Sequence, residues 1–87
     1  MGGSRRGYKM TPQLLEHVRA EALFVSDVQS SDPTSPEHIR TAVMRSVRRH
    51  GPRGCAALVA HEFGEHPDTA VSRMGWVLGA VRRAYAA

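Results

Sequence analysis

The segment His61-Glu62-Phe63-Gly64-Glu65-His66 holds the densest group of side chains that could bind a metal or transfer a proton in this 87-residue sequence. A zinc site with a catalytic glutamate needs two histidines four residues apart on one helical face, with the glutamate beside the first. Here the histidines are five residues apart, and Gly64 and Pro67 are expected to interrupt the helix. We therefore expect no metal and no cofactor, a structural role for His66 and an exposed Glu62.

Cys55 is the only cysteine, so no disulfide can form within the chain. No oriented base can be paired with it from spacing, and a buried core thiol is the expected state. A lone thiol favours a reducing, cytoplasmic location.

Apolar stretches are far shorter than the roughly 20 residues of a membrane span, and the residues after Arg5-Arg6 are too charged for an export signal. We expect a protein that is not an enzyme.

Proline, glycine and capping residues divide the chain into an all-α bundle of about four helices. Residues 1–10 are expected to form a flexible basic tail and residues 11–87 a single helical domain. Thr11 and Ser35, each followed by proline, predict helix starts. The predicted helices cover about 12–25, 36–50 (ending at Gly51-Pro52), 53–63 (ending at Gly64) and 67–85, with a loop at 26–35.

Apolar residues at helical spacing predict which side of each helix faces the core. The predicted inward residues are Leu14, Val18, Ala22 and Val25 in the first helix, Ile39, Ala42, Val43, Ser46 and Val47 in the second, Cys55, Leu58, Val59 and Phe63 in the third, and Ala70, Val71, Met74, Val77, Leu78, Val81 and Tyr85 in the fourth.

The segment 57–76 carries a pattern of small residues around a turn. Ala60 precedes Gly64 by four residues, and Thr69-Ala70-Val71 opens the next predicted helix. This pattern resembles the helix-turn-helix of bacterial transcription regulators, including the fourth region of sigma factors. From Ser35 onward the chain is also similar to small actinobacterial proteins, which implies no activity.

The resemblance implies a tri-helical helix-turn-helix core formed by the second to fourth helices, with the first packed across it. It also implies that the fourth helix reads double-stranded DNA. The candidates for base or phosphate contacts are Thr69, Ser72, Arg73 and Trp76. Glu62, Glu65 and Asp68 make this region locally acidic, so phosphate attraction must come from elsewhere.

The positive charge is densest along the second predicted helix and the turn after it. Arg40, Arg45, Arg48, Arg49 and Arg53 follow one another without an intervening acid, in a chain of net charge +4. Such a face could contact DNA phosphates, bind an acidic protein or simply keep a small domain soluble. All three interpretations remain open at this stage.

Trp76 supports a different class of function. It falls outside the predicted apolar side of its helix, beside Gly75 and Gly79, whose spacing lets another helix approach closely. Either the first helix covers this surface, or the surface binds a protein partner or a second copy in a homodimer. A protein-interaction module without nucleic acid is therefore the alternative to DNA binding.

Overall fold

The computed structural model describes residues 10–86 and contains, within that range, three α-helices and no strand. They are α1 (Pro12–Phe24), α2 (Pro36–Glu65) and α3 (Pro67–Ala84). The all-α prediction is confirmed, whereas the prediction of four separate helices is wrong. Of the predicted basic tail, residues 1–9 lie outside the described part. None of the three helices is long and apolar enough to cross a membrane.

Side-chain caps begin the first two helices where the sequence predicts them. The Thr11 hydroxyl accepts a hydrogen bond from the Leu14 amide at 3.0 Å, and the Ser35 hydroxyl accepts one from the His38 amide at 3.1 Å. In each case the proline that follows occupies the first helical turn, where an amide hydrogen would have no partner within the helix.

The predicted boundary at Gly51-Pro52 is a kink inside α2. Gly51 has φ 73° and ψ 163°, the only positive φ in the described chain, and this conformation is nearly restricted to glycine. Pro52 then lies in the first turn after the kink, where proline is tolerated. The backbone therefore leaves the helical conformation at the predicted position, but because the helix resumes immediately, the second and third predicted helices are counted as one element.

The junction between α2 and α3 is a single residue, His66. Its amide donates to the Glu62 carbonyl at 2.7 Å, and its own carbonyl accepts from the Ala70 amide at 2.9 Å. Gly64 lies inside α2 without a positive φ, so the predicted glycine turn there is wrong. Pro67, rather than Gly64, ends α2, because a proline ring clashes with the preceding helical turn.

All three helices pack against one another around one apolar core. Leu23, Val77, Val81 and Cys55 are its largest fully buried side chains. The loop after α1 contributes Val28, and a bond from the Ser26 hydroxyl to the Leu23 carbonyl at 2.6 Å holds the start of this loop against α1.

Three residues expected in the core are exposed: Leu14 by 46%, Leu58 by 41% and Val71 by 62%. Ala60, expected at a helix crossing, is exposed as well. On α3 the buried residues are Ala70, Val77, Ala80, Val81 and Ala84, so the buried side is turned toward Ala80 and Ala84, which were not predicted to face the core. Val71 is turned about 100° from Ala70 around the helix axis, which places it beyond that side.

Candidate nucleic-acid interface

Four exposed arginines lie along the middle of α2, before and after the kink: Arg45, Arg48, Arg49 and Arg53. None of them forms an ion pair with an acid of residues 10–86. Arg45 and Arg49 are one helical turn apart, and Arg48 is turned away from both by 60° or more of helix rotation, by an estimate of about 100° per residue. We name these four residues the arginine face.

Arg40, predicted as part of the same stripe, has another partner. Its Nη1 donates to the backbone carbonyl of Ala84 at 2.6 Å. Ala84 is the last residue of α3, where carbonyls lack helical partners. Arg40 therefore caps α3 and joins it to α2, and we leave it out of the arginine face.

Arg73 is engaged even more completely, although the sequence made it the leading candidate for reading a base. Its Nε donates to the Phe24 carbonyl at 2.8 Å, and its Nη2 donates to the carbonyls of Ser26 at 3.1 Å and Leu23 at 3.3 Å. These three carbonyls lie at and just after the C-terminal end of α1. Burial also lowers the pKa of the Arg73 guanidinium from its usual value. Base contact by Arg73 would require breaking all three bonds.

Thr69 and Ser72 are exposed at the start of α3, as expected of residues that could contact DNA. Their surroundings are acidic, because Glu65 and Asp68 are exposed and Glu62 is half-buried beside them in the sequence. The Glu62 carboxylate pairs with His66 Nδ1 at 3.3 Å. A cluster of carboxylates of this kind disfavours phosphate contacts at Thr69 and Ser72.

Trp76 is partly buried and packs against the core. The Arg73 guanidinium carbon lies 5.5 Å from its ring centroid and 5.7 Å from that of Phe24, within the range of cation–π attraction. Gly75 is exposed, and a Cβ built on it would meet nothing within 4 Å. The indole thus contributes to the packing around Arg73 and is only partly available to a partner.

A groove of about 880 Å³ lies between the loop after α1 and the N-terminal half of α2. Arg45 and Arg49 of the arginine face line it, together with His38, Thr41 and His50. Sequence reasoning missed the last three residues. A signal was present for His38 and Thr41, since residues 38, 41, 45 and 49 recur at intervals of three and four, which places them on one side of a helix; His50 lies outside this series.

The Cys55 thiol lies in the core, 1% exposed, and its Sγ donates to the Ser46 carbonyl at 3.7 Å across the kink. Burial, and secondarily the charge of Glu21, raise its pKa above the ordinary 9.0, which favours the unreactive thiol form. No group of three metal-ligating side chains occurs in the part of the chain that the structure describes.

Comparison with known proteins finds no family model, no curated protein and no solved structure that matches this chain.

Proposed function

We propose that this protein binds double-stranded DNA through its phosphates, using the arginine face of α2. The observation that carries the proposal is that Arg45, Arg48, Arg49 and Arg53 are all exposed and form no ion pair with an acid of the described chain. Phosphate neutralisation by such side chains supplies most of the affinity of non-specific DNA binding.

The proposed DNA contact lies on α2, whereas the sequence pattern predicted it on α3. Arg73, the residue expected to read bases, holds the end of α1, and the exposed Thr69 and Ser72 lie among acids. These two hydroxyls are left as secondary phosphate contacts at most. We do not extend the proposal to regulation of transcription or to helix-turn-helix recognition of bases. The junction at His66 is one residue long, whereas the turn of a helix-turn-helix usually has three to four residues.

The test is fluorescence anisotropy of labelled duplex DNA at about 50 and 200 mM salt, where phosphate contacts change affinity steeply. Arg48→Gln/Arg53→Gln should weaken binding at low salt. It should also reduce the slope of log K against log salt by about 1.8, because each phosphate contact contributes about 0.9.

The control is Arg82→Gln/Arg83→Gln, which removes the same net charge from α3. Because it also breaks the ion pair of Arg82 Nε with Glu16 Oε2 at 2.7 Å, its free energy of unfolding is measured beside its DNA affinity. We expect it to change affinity much less. Equal weakening by the two double variants would mean that net charge alone attracts DNA and would contradict an arginine face. Absence of binding by the wild type at low salt would overturn the function itself.

The alternative, a protein-interaction module acting through Trp76, has less support. The indole packs against the core and stacks with Arg73, so a partner there would meet mainly Gly75, Gly79 and the rim of the ring. Sedimentation of the wild type beside Trp76→Arg tests the homodimer form of this alternative. A monomer in the wild type would count against it.

A further inference from the structure

The groove beside the arginine face combines three kinds of lining group. Arg45 and Arg49 lie on its α2 wall, with the imidazoles of His38 and His50 on the same helix. Carboxylates come from Asp27 in the loop and Glu37 near the start of α2. Apolar surface is supplied by Val25, Val28 and Ala42.

The two arginines make this groove suitable for a phosphate group. Neither lies within ion-pair distance of the two carboxylates that share the groove, and guanidinium groups bind phosphate through paired hydrogen bonds. The Thr41 hydroxyl lies one turn before Arg45 on the same side of α2 and can add a further donor.

The carboxylates suit a ligand that is larger than a bare phosphate. Asp27 and Glu37 can accept hydrogen bonds from hydroxyl or amino groups, which a phosphate anion does not carry at a distance from its charge. Along α2, Glu37 and Arg45 are eight residues apart, about 12 Å of helix axis. A free phosphate cannot span that distance, but a nucleotide can.

The size and walls of the groove agree with a nucleotide. Its volume of about 880 Å³ lies within the range of small-molecule sites in proteins, about 300–1,000 Å³. Of its apolar residues, Val25 is partly exposed and can contact a base, whereas Val28 and Ala42, 3% and 8% exposed, only form the floor of the groove. The loop wall is held in place by the Ser26 hydroxyl and by a bond from the Gln29 amide to Asp32 Oδ2 at 2.8 Å.

We propose that this groove binds a nucleoside monophosphate unit, with the phosphate at Arg45 and Arg49 and the sugar hydroxyls or base amino group at Asp27 and Glu37. Such a unit is presented both by a free nucleotide and by the 5′-phosphorylated end of a nucleic acid strand. The proposal shares two arginines with the proposed function but does not depend on duplex binding, because Arg48 and Arg53 do not line the groove.

The experiment follows the amide spectrum of the ¹⁵N-labelled protein during titration with adenosine 5′-monophosphate. Signals from residues 26–28 and 37–50 should shift together and saturate. Arg49→Gln should weaken binding about tenfold, the effect of losing a charge-assisted hydrogen bond. Its neighbour Arg48→Gln removes the same charge outside the groove and should leave binding within about twofold.

Asp27→Asn separates a nucleotide site from a simple anion site. It should weaken binding of the nucleotide and strengthen binding of inorganic phosphate, since the same carboxylate attracts one probe and repels the other. If the variant changed the affinities for nucleotide and for inorganic phosphate in the same direction, the assignment of Asp27 as an acceptor for the sugar or base would be overturned. Equal effects of Arg48→Gln and Arg49→Gln, or no shifts at about 1 mM nucleotide, would overturn the site.

Two further probes distinguish the sources of the nucleotide. A short single-stranded DNA with a 5′-phosphate that binds more tightly than its 5′-hydroxyl counterpart and than the free nucleotide would assign the groove to strand ends. Preference for the free nucleotide would assign it to a small molecule. If Arg48→Gln/Arg53→Gln loses duplex binding but keeps nucleotide binding, the groove and the arginine face are separate sites.

Discussion

Arg73 illustrates how a residue suited to one role can serve another. An exposed arginine near the start of a helix suggests base recognition, but this side chain reaches carbonyls 47 to 50 residues away along the chain. The stacked pair of Phe24 and Phe63, with ring centroids 6.0 Å apart, packs beside it. The guanidinium therefore has an apolar lining and a defined set of acceptors, which favours a structural role.

Replacement of Arg73 by methionine should destabilise the fold by about 1.5–3 kcal/mol, the usual range for a hydrogen-bonded charged group. Methionine keeps much of the aliphatic length, so the loss reports mainly the missing donors. Urea unfolding measures the change, and Arg83→Met on the exposed side of α3 provides the control, with an effect expected within about 0.5 kcal/mol. A variant of Arg73 with unchanged stability would restore this residue to the list of candidates for DNA contact.

At the scale of elements, Gly51 and Gly64 look alike in the sequence, since each follows a helical pattern and precedes a proline by one or three residues. They differ in conformation, because only Gly51 has a positive φ. Neither would bring a new Cβ within 4 Å of another group. A substitution at either position therefore tests backbone conformation without the complication of a steric clash.

Gly51→Ala should destabilise the protein by about 1–3 kcal/mol, the cost of a residue with a side chain in this backbone region. Gly64→Ala should stabilise it by about 0.5–1 kcal/mol, because alanine has less freedom to lose on entering a helix. Thermal unfolding of the two variants beside the wild type measures both signs. Destabilisation by Gly64→Ala would instead support the glycine turn of a helix-turn-helix.

Local signals predicted helix starts better than helix continuity. Thr11, Ser35 and Pro67 were sufficient to place the three starts, because a cap or a proline acts within one turn. Whether Gly51-Pro52 separates two elements or kinks one depends on packing on both sides of it, which no local pattern contains. The same holds for Arg73 and Arg40, whose partners lie more than 40 residues away.

The candidate site was partly predictable for the same reason. The arginine face follows from the run of arginines and the absence of acids between residues 40 and 53. The groove does not, because its loop wall is brought against α2 by tertiary packing. The exposure of Val71 was missed because the large apolar side chains set the predicted side of α3, whereas the small residues Ala80 and Ala84 are buried and turn the buried side away from Val71.

At the scale of the whole molecule, stability should decline at alkaline pH. Burial raises the pKa of Cys55 above 9.0, with a smaller contribution from Glu21. It also raises the pKa of Tyr85 above 10.0, against the opposing charges of Arg19 and Arg40. The unfolded chain releases these protons at lower pH than the folded chain does, so the stabilisation is complete below the ordinary values and is lost as pH rises through the folded ones.

The measurement is the free energy of unfolding in urea between pH 7 and about pH 10.5. The wild type should lose stability with increasing steepness above pH 9. Cys55→Ala should flatten the part of the curve that begins near 9, and Tyr85→Phe the part that begins near 10, whatever their effects at neutral pH. Curves parallel to the wild type would show that neither side chain is buried as described.

The hydrogen bonds that close α1 have a consequence for the order in which the chain acquires structure. α1 is made before α3, but its last two carbonyls and that of Ser26 just after it accept hydrogen bonds from a side chain of α3. An isolated helix of 13 residues is marginal in water. A nascent chain ending before residue 73 should therefore hold α1 only transiently, and a ribosome stalled there would expose the α1 segment to chaperones or proteases.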